Sequence, residues 1–498
     1  MALSGLNGQI VEIESALHPG LASFHIVGLG DMAVQESKQR IKSAIKESGE
    51  KFPRNKIAIN LAPAHIQKSG PLFDLPIALS MLCTMEVIEE IPKKTLFVGE
   101  LNFSGEIRPI QGILPLIIEA KKQGCINIVI PFENKNEAMI VNDINIFPAK
   151  TLREVIDWLQ KKHEIPTLVW KQHITKHHDE PNDFYHIKGQ FQAKRALEIA
   201  AAGGHNILLN GPPGSGKTLL AKCFSSILPD MQLEECLEVS KLYSIAGLLS
   251  EHNPLIQRRP FRSPHHTSSH ISLVGGGKIP KPGEISLAHL GVLFLDEFPE
   301  FSLQSIEALR QPLEDKEITI ARVGGSFTYP ALFTLIAAMN PCPCGYASDP
   351  DKECICSAFQ IQRYQKKLSG PILDRIDLHV EVPKVQIEEM QEHTNNENSD
   401  AIKERVNKAR STQQQRYRDT PYNINKEVPQ KDLEIFCPLD KESRHILKKA
   451  TEKFQLSARS YFRIIRVART IADLEQCNNI ETQHIQEALQ YRLLGKQW

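Results

Sequence analysis

The sequence predicts an α/β protein made of an α+β unit, a domain built on a parallel sheet, and a C-terminal helical domain. Over residues 1–162, short apolar segments alternate with single helical segments, a pattern typical of an α/β or α+β sandwich. The run Gly211-Pro212-Pro213-Gly214-Ser215-Gly216-Lys217-Thr218 lies between an apolar strand and a helix, as a phosphate-binding loop does. Helical patterns then follow a polar stretch at residues 386–400.

Composition narrows the class of protein. The 498 residues correspond to about three domains. Lys+Arg and Asp+Glu both number 59, so no net field attracts nucleic acid or an anionic membrane, and DNA binding requires a local patch. The chain has no apolar run long enough to span a bilayer and no secretory signal, and its ten cysteines fit a reducing compartment. We therefore expect a cytoplasmic protein with no membrane partner.

The first unit, residues 1–162, is predicted from alternating strands and helices. A linker is predicted over residues 163–184, where irregularly spaced histidines indicate solvated chain rather than a metal site. The ATPase domain is predicted over residues 185–385, and a hinge and helical lid over residues 386–498. The predicted elements of the first unit are strands at 11–17, 24–27, 56–61, 96–99 and 126–131, and helices at 34–47, 74–85 and 113–123.

The phosphate-binding loop predicts ATP chemistry. Its glycines let backbone N–H groups face one anion, and the following helix adds a partial positive charge. We expect Lys217 to reach the β- and γ-phosphates and the Thr218 hydroxyl to ligate Mg²⁺.

A second apolar strand ends in Asp296-Glu297, which is the expected partner of a phosphate-binding loop. Asp296 is predicted to hold the Mg²⁺ shell, and Glu297 to orient and deprotonate the attacking water. A third strand, at 333–339, ends in Asn340, which we expect to contact the γ-phosphate or the water. A strand-capping role for Asn340 is the alternative.

Two arginines complete the predicted site. Arg375 lies in a Leu-x-Arg-Ile-Asp context and is predicted to enter the neighbouring subunit's site as an arginine finger, which requires a ring. Arg459 follows Ser457, the predicted N-cap of a helix, and shares a helical face with Arg463 and Arg466. Arg459 is the first candidate to contact the γ-phosphate from the lid, and Arg463 is the second.

Residues 99–112, 119–121 and 128–131 of the first unit form a recognisable pattern. Through these segments the first unit resembles the ribosomal-S5-like domain of Lon-type proteases. The resemblance implies a Ser–Lys dyad, but Leu72 stands where the nucleophile should be, within Gly70-Pro71-Leu72-Phe73-Asp74, and Leu114 where the lysine should be. Leucine has no nucleophilic or proton-transferring group. We expect a proteolytically inactive domain, with the adjacent Lys68 and Ser69 as the weaker alternative.

Several long segments go beyond the general motifs of ATPases. They are residues 188–190, 197–206, 259–268, 275–277, 282–289, 307–315, 340–345 and 468–474. Through these segments and the Lon-like first unit, nearly the whole chain resembles the bacterial YifB/ComM family of magnesium-chelatase-like AAA+ proteins. The resemblance implies a hexameric ATPase that acts on DNA, and in the competence branch a helicase that moves DNA branch points during natural transformation with other recombination factors. It also implies that the segment 187–190 lies against the adenine.

Two basic segments are candidates for DNA contact. Residues 317–330 are predicted to form a β-hairpin turning at Gly324 and Gly325, with Arg322 and the nearby Lys316 facing phosphates. The second candidate is the insert that carries Arg262, His265, His266 and Lys278. A sixfold ring repeats each basic residue around its pore, so a neutral chain can present a basic channel. Ion pairing on the outer surface is the alternative.

Four of the ten cysteines lie in one loop, residues 342–356. Cys342, Cys344, Cys354 and Cys356 form two Cys-x-Cys pairs. Four thiolates can hold a tetrahedral Zn²⁺, although the usual spacing is Cys-x2-Cys. Reduced thiols without metal are the alternative.

Three functions fit these motifs. The first is an ATP-driven DNA motor. The second is a chelatase-type ATPase that remodels a protein partner. The third, an ATP-dependent protease, is opposed by Leu72 and Leu114.

Overall fold

The computed structural model describes residues 1–169, 182–250, 252–277, 280–322, 325–349, 351–386 and 396–493. Within these ranges no helix combines the length and the apolar character that crossing a bilayer requires.

The first unit contains two three-stranded sheets. In the first, Lys56–Ala62 is central, antiparallel to Glu12–His18 and parallel to Ser23–Val27. In the second, Asn127–Pro131 lies between Asn145–Ala149 and Thr95–Phe97, all parallel. Helices cover the sheets, and their apolar faces are fully buried, as the 3.6-residue period predicts. These helices are Met32–Glu47, Asp74–Thr84, Ile113–Lys122, Lys135–Ala138 and Leu152–Leu159.

The chain stays attached to the first unit beyond residue 162. Ile165 is buried in its core, and the Leu168 amide donates to the Ile146 carbonyl, 2.9 Å away. The predicted linker histidines at 173, 177 and 178 lie outside the described residues. Phe184 is already fully buried in the core of the next unit.

The second unit is built on a five-stranded, all-parallel sheet. Its order is Phe261–Arg262, Val292–Leu295, Thr334–Met339, Ile207–Asn210, Leu378–Glu381. The three central strands are buried on both faces, which explains why they are apolar without alternation. Because the strands are parallel, the segments that follow them meet at one edge of the sheet, here called the nucleotide edge. The segments that precede them meet at the other, here called the entry edge.

Helices pack on both faces of this sheet, and a two-stranded hairpin lies beside it. The hairpin pairs Glu317–Arg322 with Gly325–Pro330, Arg322 opposite Gly325. The register therefore places the connection at residues 323–324, which lie outside the described residues. The helices are Phe191–Gly203, Lys217–Cys223, Leu233–Ala246, His270–Val274, Glu284–Leu287, Leu303–Ala308, Arg310–Asp315, Ala358–Gln365 and Gly370–Leu373.

The C-terminal region is helical, as predicted, and packs on the helix Phe191–Gly203. Ser457 caps the helix Ala458–Leu474 by accepting from the Ser460 amide, which confirms the predicted helix start. The first helix begins at Ser399, inside the stretch predicted as a hinge, with Asn398 as its N-cap. The helices are Ser399–Arg416, Leu433–Phe436, Lys441–Phe454, Ala458–Leu474 and Thr482–Leu493.

Candidate nucleotide site

The phosphate-binding loop occupies the nucleotide edge between the strand Ile207–Asn210 and the helix that begins at Lys217. Gly214 and Gly216 have φ angles of +78° and +88°, and a side chain added at either would meet open space. These backbone angles, which disfavour residues with a Cβ, leave an open cradle of N–H groups at a helix N-terminus.

Lys217 closes the base of this cradle. Its Nζ donates to the carbonyls of Gly211 and Pro212, 2.6 and 2.9 Å away, and to Asn340 Oδ1, 3.3 Å away. The side chain is nearly buried, and this desolvation lowers the pKa of Lys217 to about 8, although Asp296 and Glu297 oppose the shift. An anion in the cradle would supply the charge partner that the ammonium lacks.

Thr218 and Asp296 lie together, as an Mg²⁺ shell requires. The Thr218 hydroxyl donates to Asp296 Oδ2 at 2.8 Å, and the other carboxylate oxygen accepts from the Glu297 amide. The structure therefore brings Lys217, Thr218, Asp296 and Asn340 to one edge of the sheet. Hydroxyl and carboxylate oxygens are ligands suited to Mg²⁺.

Glu297 has an unusual backbone conformation, and its partner is His266, which the sequence predicts to contact DNA. Its φ is +51°, a conformation that costs a residue other than glycine free energy and is often found at functional sites. His266 Nδ1 lies 2.9 Å from Glu297 Oε2. The strand Phe261–Arg262 runs parallel to the strand that precedes Asp296, so His266 arrives at the nucleotide edge. His266 thus contacts Glu297, the predicted general base, instead of lying in a DNA-binding segment as the sequence predicts.

Gln190 joins two sides of the same edge. Its Nε2 donates to the carbonyls of Ser215 and Pro383. The segment 187–190 therefore lies beside the phosphate loop, the region where the family resemblance expects the adenine. The sequence points to Gln190 only because it belongs to the segment 187–190. No sequence pattern connects Gln190 to Pro383.

Arg375 lies at the entry edge. It precedes the strand Leu378–Glu381, whose Leu378 is opposite Ile207, so the length of a four-residue strand, about 13 Å, separates it from its own phosphate loop. The side chain is nearly buried, with Nη1 donating to the Pro371 carbonyl and Nη2 2.6 Å from Glu314 Oε1.

The two candidate arginines of the lid helix, Arg459 and Arg463, have different partners. Arg459 is largely exposed and lies 3.8 Å from Glu314, the residue that pairs with Arg375. Arg463 pairs with buried Asp377 at 2.8 Å. Burial opposes the charge on Asp377, but Arg463 and His205 hold its pKa well below the usual range. Arg459 and Arg375 thus share the entry edge, away from the phosphate loop of their own chain.

The DNA candidates receive mixed support. Arg262 is half-buried and bound by Glu284 through two contacts of 2.6 and 2.7 Å, so it is not free for phosphates. Lys316 pairs with Glu427 at 2.5 Å and stands at the base of the hairpin.

The other two DNA candidates are Arg322 and Lys278. Arg322 ends a hairpin strand of six residues, so about 20 Å of strand separates it from Lys316. This corrects the expectation that the two residues lie near each other. The side chain of Arg322, and Lys278 entirely, lie outside the described residues.

The four loop cysteines converge. Each offers a sulfur atom within 4.8 Å of the other three, and the Cys342–Cys344, Cys344–Cys354 and Cys342–Cys354 separations are 3.3, 3.6 and 3.7 Å. A tetrahedral ion with Zn–S bonds of about 2.3 Å sets its sulfur atoms about 3.8 Å apart. The cluster thus has the donor set and nearly the spacing of a Cys₄ zinc site.

The two positions of the Lon-type dyad are apolar. Leu114 is fully buried, and Leu72 packs against the cluster that contains it. Lys68 is buried as well, and its Nζ donates to the Pro63 carbonyl. The arrangement fits packing rather than peptide hydrolysis.

Comparisons with known proteins agree with this architecture. The family described as magnesium chelatase, subunit ChlI, matches residues 183–390, and two related families of the same subunit match residues 13–134 and 396–492. The Lon protease of Escherichia coli is 23% identical over 31% of this chain and 21% of its own length.

Two full-length relatives are more similar. Competence protein ComM of Haemophilus influenzae is 41% identical over 99% of this chain and 96% of its own length. The YifB protein of Escherichia coli is 39% identical over the same shares of the two chains. Because the identity extends through all three units, the chain belongs to the YifB/ComM family of magnesium-chelatase-like AAA+ ATPases.

Proposed function

We propose that this chain is the subunit of a homo-hexameric, ATP-driven motor that moves DNA branch points in recombination intermediates. One observation supports the ring most directly. Lys217, Thr218, Asp296 and Glu297 lie at the nucleotide edge, whereas Arg375 and Arg459 lie at the entry edge.

Head-to-tail assembly makes this division useful. Each subunit supplies its phosphate loop to one nucleotide and its two arginines to the nucleotide of the next subunit. A heterologous contact of this kind closes into a ring when six equal rotations between neighbouring subunits complete one turn. Arginine in trans stabilises the charge that develops on the transferred phosphoryl group, and Arg459 acts there with Arg375 rather than in its own site.

The proposal that DNA is the substrate rests on similarity to relatives rather than on exposed basic side chains. The relative from Haemophilus influenzae carries the name competence protein, and the family resemblance implies branch migration in natural transformation, in the cytoplasm and with other recombination factors. Arg322 at the end of the hairpin is the basic position we retain for phosphate contact.

Branch migration can be measured directly. The protein is incubated with ATP, Mg²⁺ and a labelled four-way junction, and movement of the branch point is followed. We expect movement by the unaltered chain and none by Lys217→Ala or Glu297→Gln. Arg322→Glu should weaken DNA binding while basal ATPase persists. ATPase activity indifferent to every DNA structure would contradict the motor.

Two ions complete the proposal. Thr218 and Asp296 would hold Mg²⁺, which neutralises phosphate charge in the reaction. Cys342, Cys344, Cys354 and Cys356 would hold a structural Zn²⁺, supported by the sulfur separations. Metal analysis of the purified protein should find one zinc per chain.

Remodelling of a protein partner is the second candidate, favoured by the match to the magnesium chelatase subunit over residues 183–390. It predicts ATPase stimulated by a protein and not by DNA. For proteolysis, Leu72 and Leu114 predict no cleavage of an unfolded protein in the presence of ATP.

A further inference from the structure

The cysteine loop lies directly against the phosphate-binding loop. Gly345 follows Cys344 and has a φ of +86°. A Cβ placed on Gly345 would lie 2.6 Å from two ring carbons of Pro213. The close approach of a backbone to the Pro213 ring leaves no space for a side chain at residue 345.

The same loop begins at the γ-phosphate side of the site. Only Pro341 separates Cys342 from Asn340, which accepts from Lys217. The Gly211 amide donates to the carbonyl of Met339, the residue before Asn340. Cys342 is fully buried, so its sulfur is held close to the ends of the two strands that precede the phosphate loop and Asn340.

The outer part of the loop is tied to the same edge. Lys384 pairs with Asp349 at 2.5 Å, and it follows Pro383, whose carbonyl accepts from Gln190. Gln190 also donates to Ser215 of the phosphate loop. The cysteine loop therefore contacts the phosphate loop directly, through Gly345. It is also linked to the phosphate loop indirectly, through residues 383–384 and Gln190.

No helix or strand orders the described part of this loop. Between Cys342 and Ser357 the described residues form only turns and irregular chain, and most are exposed or half-buried. Fixing such a segment costs about 1–2 kcal/mol of backbone entropy per residue. Binding of an ion to four cysteines supplies folding free energy to the segment that carries them.

We propose that the Cys₄ loop is a metal-dependent clamp that positions the phosphate-binding loop and Asn340 for ATP. The proposal rests on the proposed zinc and ATP sites. Loss of the ion releases the loop, Gly345 leaves Pro213, and the anion cradle loses its preorganised form. ATP affinity then falls, although every residue that contacts the nucleotide is still present.

The first test removes the ion. The full-length Cys354→Ser/Cys356→Ser variant is compared with Cys83→Ser, which changes a half-buried cysteine that belongs to no group of possible metal ligands among the described residues. Zinc per chain and the dissociation constant of a fluorescent, non-hydrolysable ATP analogue are measured for both. We expect the double variant to lose zinc and to bind the analogue about tenfold more weakly, within the range usual for coupled sites. Cys83→Ser should match the unaltered protein.

The second test keeps the ion and disturbs the contact. In Gly345→Ala the new methyl group meets Pro213, and we expect one zinc per chain with weakened ATP binding. Gly70→Ala is the matched control, because Gly70 has the same φ of +86° and nothing within 4 Å of an added Cβ. It should leave ATP binding unchanged.

The outcomes separate the clamp from the proposed function. Unchanged ATP affinity in the zinc-free double variant overturns the clamp, as does unchanged affinity in Gly345→Ala. An unaltered protein that binds ATP but holds no zinc also overturns it and leaves the ATPase standing. An unaltered protein that binds no ATP refutes the nucleotide site itself.

Discussion

Lys217 gives the proposed ATP site a pH dependence that can be measured as nucleotide affinity. Burial lowers the pKa of its ammonium to about 8 in the free protein. ATP phosphates beside Lys217 would raise this pKa again, because they favour the charged form. The bound state therefore holds its proton at a pH where the free state releases it. ATP affinity is therefore highest well below pH 8, where Lys217 is protonated in both states, and it decreases as the pH rises through 8.

The size of the effect follows from the pKa. With a value of about 8, roughly nine in ten Lys217 side chains are protonated at pH 7 and roughly one in ten at pH 9. The dissociation constant should therefore rise about tenfold from pH 7 to pH 9, equal to about 1.4 kcal/mol. Phosphate groups, whose second pKa is about 6, are mostly ionised by pH 7 and contribute little to this change.

The assay titrates a fluorescent, non-hydrolysable ATP analogue into the protein with Glu297 intact, because Glu297 helps to set the pKa of Lys217, at several pH values from 7 to 9. Lys217→Arg is the control, because a guanidinium stays charged throughout this range. Its affinity should be lower but independent of pH. A dissociation constant that stays flat for the lysine protein, or rises equally in the arginine variant, would refute the role of Lys217 protonation.

Three further predictions test other parts of the site. Arg375→Ala and Lys217→Ala should each lower ATPase activity about a thousandfold. An equal mixture of the two variants should recover about a quarter of the activity, because about one interface in four in a mixed ring joins an intact phosphate loop to an intact Arg375. No recovery would argue against a site shared between subunits. His266→Ala should lower kcat about tenfold with little change in KM, because Glu297 loses its orienting partner, and His266→Gln should restore part of it; a rise in KM alone would contradict positioning. Arg463→Ala should destabilise the chain by about 3 kcal/mol, because Asp377 stays buried without its closest cation, and Asp377→Asn added to it should recover stability in denaturant unfolding.

Local patterns in the sequence account for the centre of the site. The phosphate loop, the strand before Asp296 and the strand before Asn340 were all predicted within one or two residues. Each is a short apolar segment followed by a polar residue, and parallel strands bring such residues to one edge. The helix start at Ser457 was equally local, because a side-chain N-cap acts within three residues.

The features of the site that the sequence does not predict depend on contacts between residues that are distant in the chain. The strand Leu378–Glu381 was not predicted, because no motif follows it and its pairing with Ile207–Asn210 joins segments that are far apart in the sequence. His266 and Glu297 meet through neighbouring strands of the sheet, and no spacing announces such a pair. The helical period places Arg459 and Arg463 on one face, but it does not say that one reaches Glu314 and the other Asp377.

The pairing of Arg375 with Glu314 links nucleotide binding to assembly in the proposed ring. In the single chain, Glu314 pairs with Nη2 of the buried guanidinium, while Nε is buried without a hydrogen-bond partner among the described residues, so Arg375 must exchange a carboxylate for the phosphate of a neighbour's nucleotide. That exchange is favoured only when ATP occupies the neighbouring site, because only then is a stronger anion present. Linkage is reciprocal, so an interface strengthened by ATP must strengthen ATP binding by the same factor. Assembly and nucleotide affinity should therefore rise together with protein concentration, and both should lose this coupling when Arg375 is replaced.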